Sequence, residues 1–307
     1  MGNNPTDEWG VAGRRHVEQF MHDEFFGSLP SSYDSNALVQ ADRATYVMHQ
    51  TVTYDYTGPV SDLRQRLMVL PREHHGDQQR VAHRFDVLTQ GTRSVRTRAD
   101  RFGNTVVHVR VPSIDHSIEF RTRAVLVRGR GTDRSAPWGA QVPHRTRLTT
   151  ADAAIRDAAR SLGPVVDVLD TADAVAELVN STFEYGHDAT SVHTTAAEAW
   201  RLRRGVCQDM AHVMIAMCTS LGICSRYVSG HLVGDGASHA WTEVLDPARG
   251  VVVAFDPTHR RRTDLRYITT ATGRDYRDVA PTSGTYHGNG SRGTLKVDKV
   301  VRVAEVA

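Results

Sequence analysis

Three residues far apart in the chain carry the side chains that a covalent acyl-transfer site requires: Cys207, His239 and Asp256. A thiol becomes an effective nucleophile when a base lies within hydrogen-bond reach. An imidazole serves as that base when a carboxylate fixes its tautomer and stabilises its charged form. Cys207 stands in Gly205-Val-Cys-Gln-Asp209, just before apolar residues Ala211, Met214, Ile215, Cys218 and Leu221, with Gly222 as a C-cap. This spacing predicts a helix that starts at Cys207, where the helix dipole favours thiolate and free N–H groups can receive an oxyanion. Three β-prone runs follow: Cys224 to Val233, His239 to Leu245 and Val251 to Phe255. Antiparallel pairing aligns the start of one strand with the end of the next, so it would bring His239 to Asp256. A cysteine in an apolar run is often only a packing residue. The histidine and the aspartate are what single out Cys207.

The neighbouring polar residues have plainer readings. Asp209 suits a cap on the first helical turn. His212 falls one turn further on and reads as packing, and Trp241 reads as core that could also shield the base from water. Arg260 to Arg262 form a solvated basic loop that could attract an acidic carrier. His74 and His75 lie in a polar turn without an assigned role. Cys207, Cys218 and Cys224 match no C-x-x-C spacing and no acidic EF-hand-like loop is present, so neither zinc nor calcium is expected.

The elements that must position these residues fall into four stretches. Trp9 to Phe26 has helical apolar spacing at Val11, Val17, Phe20, Met21 and Phe25, and Pro30 to Asn36 breaks it. These make 1–43 an N-terminal helical extension. From 44 to 128 the runs are short and β-prone, with a hairpin turn at Asp100 to Asn104, which predicts an antiparallel β-sandwich. Residues 129–150 read as a linker, rich in Gly, Ser and Pro. The catalytic half is expected over 151–307. It should open with a helix capped by Thr150 to Asp152 and running to Leu162, then a second from Thr171 to Phe183.

Several motifs occur in a fixed order: Gly205-Val-Cys-Gln-Asp-Met-Ala-His212, Cys224-Ser-Arg-Tyr-Val-Ser-Gly230, Ser238-His-Ala-Trp-Thr-Glu243, Phe255-Asp-Pro-Thr258 and Gly273-Arg-Asp-Tyr-Arg-Asp-Val-Ala-Pro281. Together they resemble bacterial transglutaminase-like proteins. Tyr54-Asp-Tyr56, the Leu67 to Pro71 run and Phe102-Gly-Asn104 resemble the N-terminal β-domain of the same family, so the likeness spans 44–305. The resemblance implies an α+β protein, with the β-sandwich followed by a papain-like core. It implies Cys207, His239 and Asp256 as catalytic residues, with no metal and no organic cofactor. Gln208 and Met210 stand where the family usually has Arg and Phe, His231 where Tyr is frequent, and His259 where Asn is. These departures surround the triad and bear on the substrate, so Gln208, His231 and Trp241 are candidate substrate contacts.

Bulk properties narrow the partners. With 307 residues, 40% hydrophobic and 23% charged, the chain has the composition of an ordinary soluble protein. No stretch approaches the roughly 20 apolar residues of a spanning helix, so no membrane partner is expected. A net charge of +2 gives no field suited to nucleic acid. Lysine occurs only at Lys296 and Lys299. Three clustered cysteines argue against a disulfide framework, and the N-terminus shows no secretory signal, so a reducing cytoplasmic setting is expected. The expected substrate is a peptide, amide or thioester, with water or an amine as acceptor. A non-catalytic binding protein on the same fold would lack a triad member, and none is missing. The sequence gives no indication of oligomeric state.

Overall fold

The computed structural model describes residues 22–30, 33–131, 145–234 and 238–307. The helix expected over Trp9 to Phe26 lies mostly outside the described residues, where only a short helix Asp23–Ser28 (α1) follows. Ser35–Gln40 (α2) comes next, with Asp34 accepting from Asn36 N at its N-cap.

Seven strands occupy the next stretch: Arg43–Tyr56 (β1), Val60–Leu67 (β2), His74–His75 (β3), Gln78–Leu88 (β4), Ser94–Ala99 (β5), Thr105–Ile114 (β6) and Ser117–Gly129 (β7). Gly103, at φ 78°, supplies the left-handed residue of the β5–β6 turn, which sets Ala99 opposite Thr105. Helices Ala153–Arg160 (α3), Val168–Thr182 (α4), Ala196–Leu202 (α5) and Cys207–Ser220 (α6) follow, with a short parallel pair, Glu184–Tyr185 (β8) and Arg204–Gly205 (β9), around α5. Asp152, Asp167 and Thr195 cap the first three of these helices through side-chain acceptors. The chain then lays down Ser225–Leu232 (β10), Ser238–Asp246 (β11), Val251–Asp256 (β12), Arg261–Arg262 (β13) and Tyr267–Gly273 (β14). Tyr276–Val279 (α7), Thr282–His287 (β15) and Gly293–Val306 (β16) complete it.

Three larger sheets result, in strand orders β16-β1-β7-β4-β3, β15-β2-β6-β5 and β13-β12-β11-β10-β14. The first two share one apolar cluster, in which Val52, Ile118 and Phe120 meet Leu63, Leu67, Val107 and Val109. β15 and β16 belong to these strand-rich sheets, pairing with β2 and β1. The expectation that 151–307 forms one catalytic unit is therefore corrected beyond residue 281. The alternating pattern of β16 gives no sign, from sequence, of which edge it will join.

The third sheet carries the helices on one face. In β11, Thr242 donates to Ala211 O of α6 and Val244 joins the cluster of Val213, Met214 and Met217. His239, Trp241 and Glu243 alternate onto the other face. Helix α6 is buried from Gln208 to Cys218, so it is the central element of this half. Truncating Met214 to Ala would leave a cavity and cost about 2–5 kcal/mol.

Side-chain amides join the two halves along β14, an edge strand. Gln78 Nε2 donates to Thr269 O at 2.7 Å while its Oε1 accepts from Thr269 N at 2.8 Å. Asn104 does the same to Thr272, at 2.8 Å both ways. Backbone groups that would template another strand are thereby satisfied. The end of the expected linker is docked too, since Leu148 and Thr149 are buried; residues 132–144 of it lie outside the described residues.

Candidate active site

Cys207 is the first residue of α6. Asp209 reaches back over the helix start, accepting from Val206 N at 2.9 Å and from Thr190 Oγ1 at 2.6 Å through one oxygen. A Cβ on Gly205 would lie 2.6 Å from that oxygen, so glycine is what lets the carboxylate close down. Burial raises the pKa of Asp209, opposed by these hydrogen bonds. With Val206 satisfied, the N–H groups of Cys207 and Gln208 stand at the open, positive end of the helix.

His239 and Asp256 come together as strand pairing requires, since Thr242 lies opposite Phe255 in the β11–β12 ladder. His239 Nε2 donates to Asp256 Oδ2 at 2.7 Å. The Cys207 side chain also acts on the His239 ring, by hydrogen bonding and charge. Burial alone would push the His239 pKa down. The hydrogen bonds to Asp256 and Cys207, with their charges, override it and raise the value to about 10. Burial would likewise raise Asp256, but His239, His259 and Tyr267 hold its carboxyl well below the ordinary range.

The surroundings of that carboxylate were not legible in the sequence. Tyr267, from β14, donates its hydroxyl to Asp256 Oδ2 at 2.7 Å and accepts from Arg261 Nε at 2.7 Å. His259 Nδ1 donates to the same Oδ2 at 2.8 Å, and Thr258 N to Oδ1 at 2.8 Å. Tyr267 gave no signal beyond an aromatic in a β-prone run. The basic run is solvated and also bonded: exposed Arg260 pairs with Glu177, exposed Arg262 with Asp173 at 2.6 Å, and Arg261 serves Tyr267.

Gln208 and His231 are both buried, and no hydrogen bond links either to the triad among the described residues. Burial, then the charge of Lys299, pushes the His231 pKa well below its ordinary value. Trp241 is buried core, packing edge-on against Tyr267 at 5.3 Å and lying 6.1 Å from the His239 ring. Asp209 is the expected cap. His212 packs at 5.1 Å from Tyr227 and accepts from Tyr276 N at 3.1 Å. The ligand-capable atoms of His239, Asp256 and His259 lie within 4.8 Å of one another. They are the residues that could hold a metal here, and each is already hydrogen-bonded in the cluster. No helix of the described residues is long and apolar enough to cross a membrane.

The model of the transglutaminase-like superfamily matches residues 156–257, and that of the bacterial transglutaminase-like N-terminal region matches 46–126. An uncharacterised protein of Mycobacterium leprae is 38% identical over 144 residues, covering 44% of this chain and 50% of that protein. One from Mycobacterium tuberculosis is 34% identical over 148 residues, covering 44% and 46%. The matched part of the chain thus spans about half the length of the curated relatives. A crystal structure from Cytophaga hutchinsonii, described as a candidate cysteine protease, superposes with a TM-score of 0.70 at 21% identity, covering 86% of this chain and 92% of that one. At that identity the likeness concerns the fold alone. A strand-rich N-terminal region and a helix-bearing core that starts α6 on a cysteine agree with both family matches: the chain belongs to the transglutaminase-like superfamily.

Proposed function

We propose that the chain is a cysteine-dependent acyl-transfer enzyme that hydrolyses an amide or peptide bond through a Cys207 thioester. The reading rests on one observation: His239 is bonded to a buried carboxylate and interacts with the Cys207 thiol, with its pKa raised to about 10. An imidazole so held is protonated at neutral pH and supplies the counter-charge a thiolate needs. The thiolate attacks the carbonyl carbon, and the oxyanion is received by the N–H groups at the start of α6. His239 gives its proton to the departing amine as the C–N bond breaks, leaving the thioester. Water, losing a proton to His239, then attacks. The thioester C–S bond breaks, the acid leaves and the thiolate and imidazolium are restored. An amine in place of water would give a new amide by the same steps. The three free cysteines suit a reducing compartment, and on that basis we assign the chain to the cytoplasm.

Brief iodoacetamide treatment followed by peptide mapping tests the nucleophile. Cys207 should be labelled much faster than Cys218, which is fully buried with its pKa pushed up to about 12, and faster than Cys224. Intact-mass measurement with peptides and thioesters should then trap an acyl group on Cys207. Equal labelling of the three cysteines would sink the assignment.

A further inference from the structure

Lys299 is a buried cation with no anion beside it among the described residues. It lies on β16 opposite Gln50 of β1, is 9% exposed, and donates from Nζ to Ser238 Oγ at 2.8 Å. Among the described residues no carboxylate pairs with it. The other lysine, Lys296, is exposed and paired with Asp55 at 2.8 Å. A buried ammonium bonded only to a hydroxyl is costly to the fold, because a neutral acceptor does not replace the hydration it loses. Burial accordingly lowers its pKa to about 8, which still leaves it mostly charged at neutral pH.

Its location gives the charge a use. Along the α6-facing side of β11, Thr242 bonds to Ala211 O, and Ala240 shares a cluster with Ala211 and Cys207. Ser238 is the next residue on that side, about 6.8 Å further along the strand, which carries it past the end of α6 where Cys207 sits. His231 pairs with Ser238 across the ladder and feels the lysine charge, so it closes the same corner. Lys299, bonded to the residue that precedes His239, and the N-terminus of α6, which starts at Cys207, are thus two positive features beside the triad.

We propose that Lys299 binds a carboxylate of the acyl-transfer substrate, placed within a residue or two of the attacked carbonyl. Lys299 is then a specificity-determining residue, and Ser238 orients its ammonium. The inference rests on the cysteine acyl-transfer reading for its meaning, but it can be tested apart from it.

The rate of Cys207 alkylation by chloroacetylglycine, by the α-amide of chloroacetyl-aspartic acid and by neutral chloroacetylglycinamide compares a terminal carboxylate, a side-chain carboxylate and no charge. At least one acidic reagent should react about tenfold faster than the neutral one, as expected for one charge-assisted hydrogen bond. Whichever acid is preferred identifies the source of the carboxylate. In Lys299→Met the acid-to-neutral ratio should fall to about one, and in Lys299→Arg the preference should persist. Equal rates in the native protein, or a preference that survives in folded Lys299→Met, overturn the inference. Calorimetric binding of N-acetylglycine against N-acetylglycinamide to Cys207→Ala reads the lysine without the nucleophile. A carboxylate preference there alongside an inert Cys207 removes the acyl-transfer reading and keeps the anion site. No preference in either assay removes the anion site.

Discussion

Two buried histidine–carboxylate pairs lie on one face of the third sheet with nearly the same geometry. His239 Nε2 is 2.7 Å from Asp256, and His75 Nε2 is 2.6 Å from Glu243. Glu243 even shares β11 with His239, two alternations further along. What separates the pairs is the second partner of each ring. His75 Nδ1 faces Arg72 Nη1 at 3.3 Å. Arginine only donates, so that nitrogen must accept and the ring proton sits on Nε2. Glu243 is matched by Arg226 at 2.6 Å; burial would raise its pKa, but Arg226 and His75 bring it well below the ordinary range. His239 instead interacts with the Cys207 thiol. The pairing alone therefore does not set the proposed site apart; the neighbouring Cys207 thiol does.

The sharpest way to break this comparison is to cut the two pairs separately. Asp256→Asn should keep the fold and lower acyl-enzyme formation by about 10⁴-fold, because the imidazole loses its tautomer control. His239→Ala should do at least as much, and the double variant little more than either, since the residues act as a unit. Mass-resolved acylation rates with circular dichroism read all three. A folded His239→Ala with near-normal acylation would remove the catalytic reading of this pair.

Glu243→Gln should have the opposite profile. It leaves Arg226 buried without its carboxylate and should cost about 3–5 kcal/mol of stability, read by urea unfolding. Acylation per folded molecule should stay within a few-fold of the native rate. A rate loss comparable to that of Asp256→Asn would mean that both pairs belong to the chemistry.

The difference between the pairs also shows what the sequence could convey. Cys207, His239 and Asp256 were legible because each sits at a helix start or strand end whose local pattern can be read, and strand pairing needs only neighbouring strands. The cap by Asp209 and the β5–β6 hairpin were legible for the same reason. His75, read as an idle polar turn, was not, because its partner lies across a long-range contact between β3 and β11. Tyr267 reaches Asp256 only once β14 has crossed to pair with β10, which local periodicity does not encode. Lys299 was visible as a rare residue type, but its burial follows from β16 returning to β1.

Titration gives a smaller contrast. The His239 pKa is raised from 6.5 to about 10, so the stability it contributes is fully present below pH 6.5 and lost as pH rises through about 10. The depressed Asp256 acts at the other end, its contribution present above pH 3.8 and lost as pH falls below that value. Between pH 6.5 and 10 the native protein should lose on the order of 3–4 kcal/mol relative to His239→Gln. Chemical unfolding of both proteins at several pH values measures that difference. Parallel stability curves would show that His239 is not held as an imidazolium.

The smallest expected effect tests how the triad carboxylate is held. Tyr267 supplies one of four hydrogen bonds that Asp256 accepts at 2.8 Å or less, the others coming from His239, His259 and Thr258 N. Tyr267→Phe removes that hydroxyl while the ring keeps packing on Trp241. Three donors remain, so the carboxylate should stay ionised and nearly in place, and acylation should fall by about threefold to tenfold, less than a full charge-assisted hydrogen bond would give. A purely structural tyrosine would change stability and leave the pH profile of acylation alone. A positioning tyrosine draws charge from the carboxylate, so its loss leaves a more basic partner for the imidazolium, and the alkaline limb of that profile should move to higher pH. Arg261→Met, which leaves the phenol in place but removes the donor behind it, should move the limb in the same direction and by less. A limb that stays fixed in both variants would assign Tyr267 to packing, and the difference between the two buried pairs would then reside in the thiol alone.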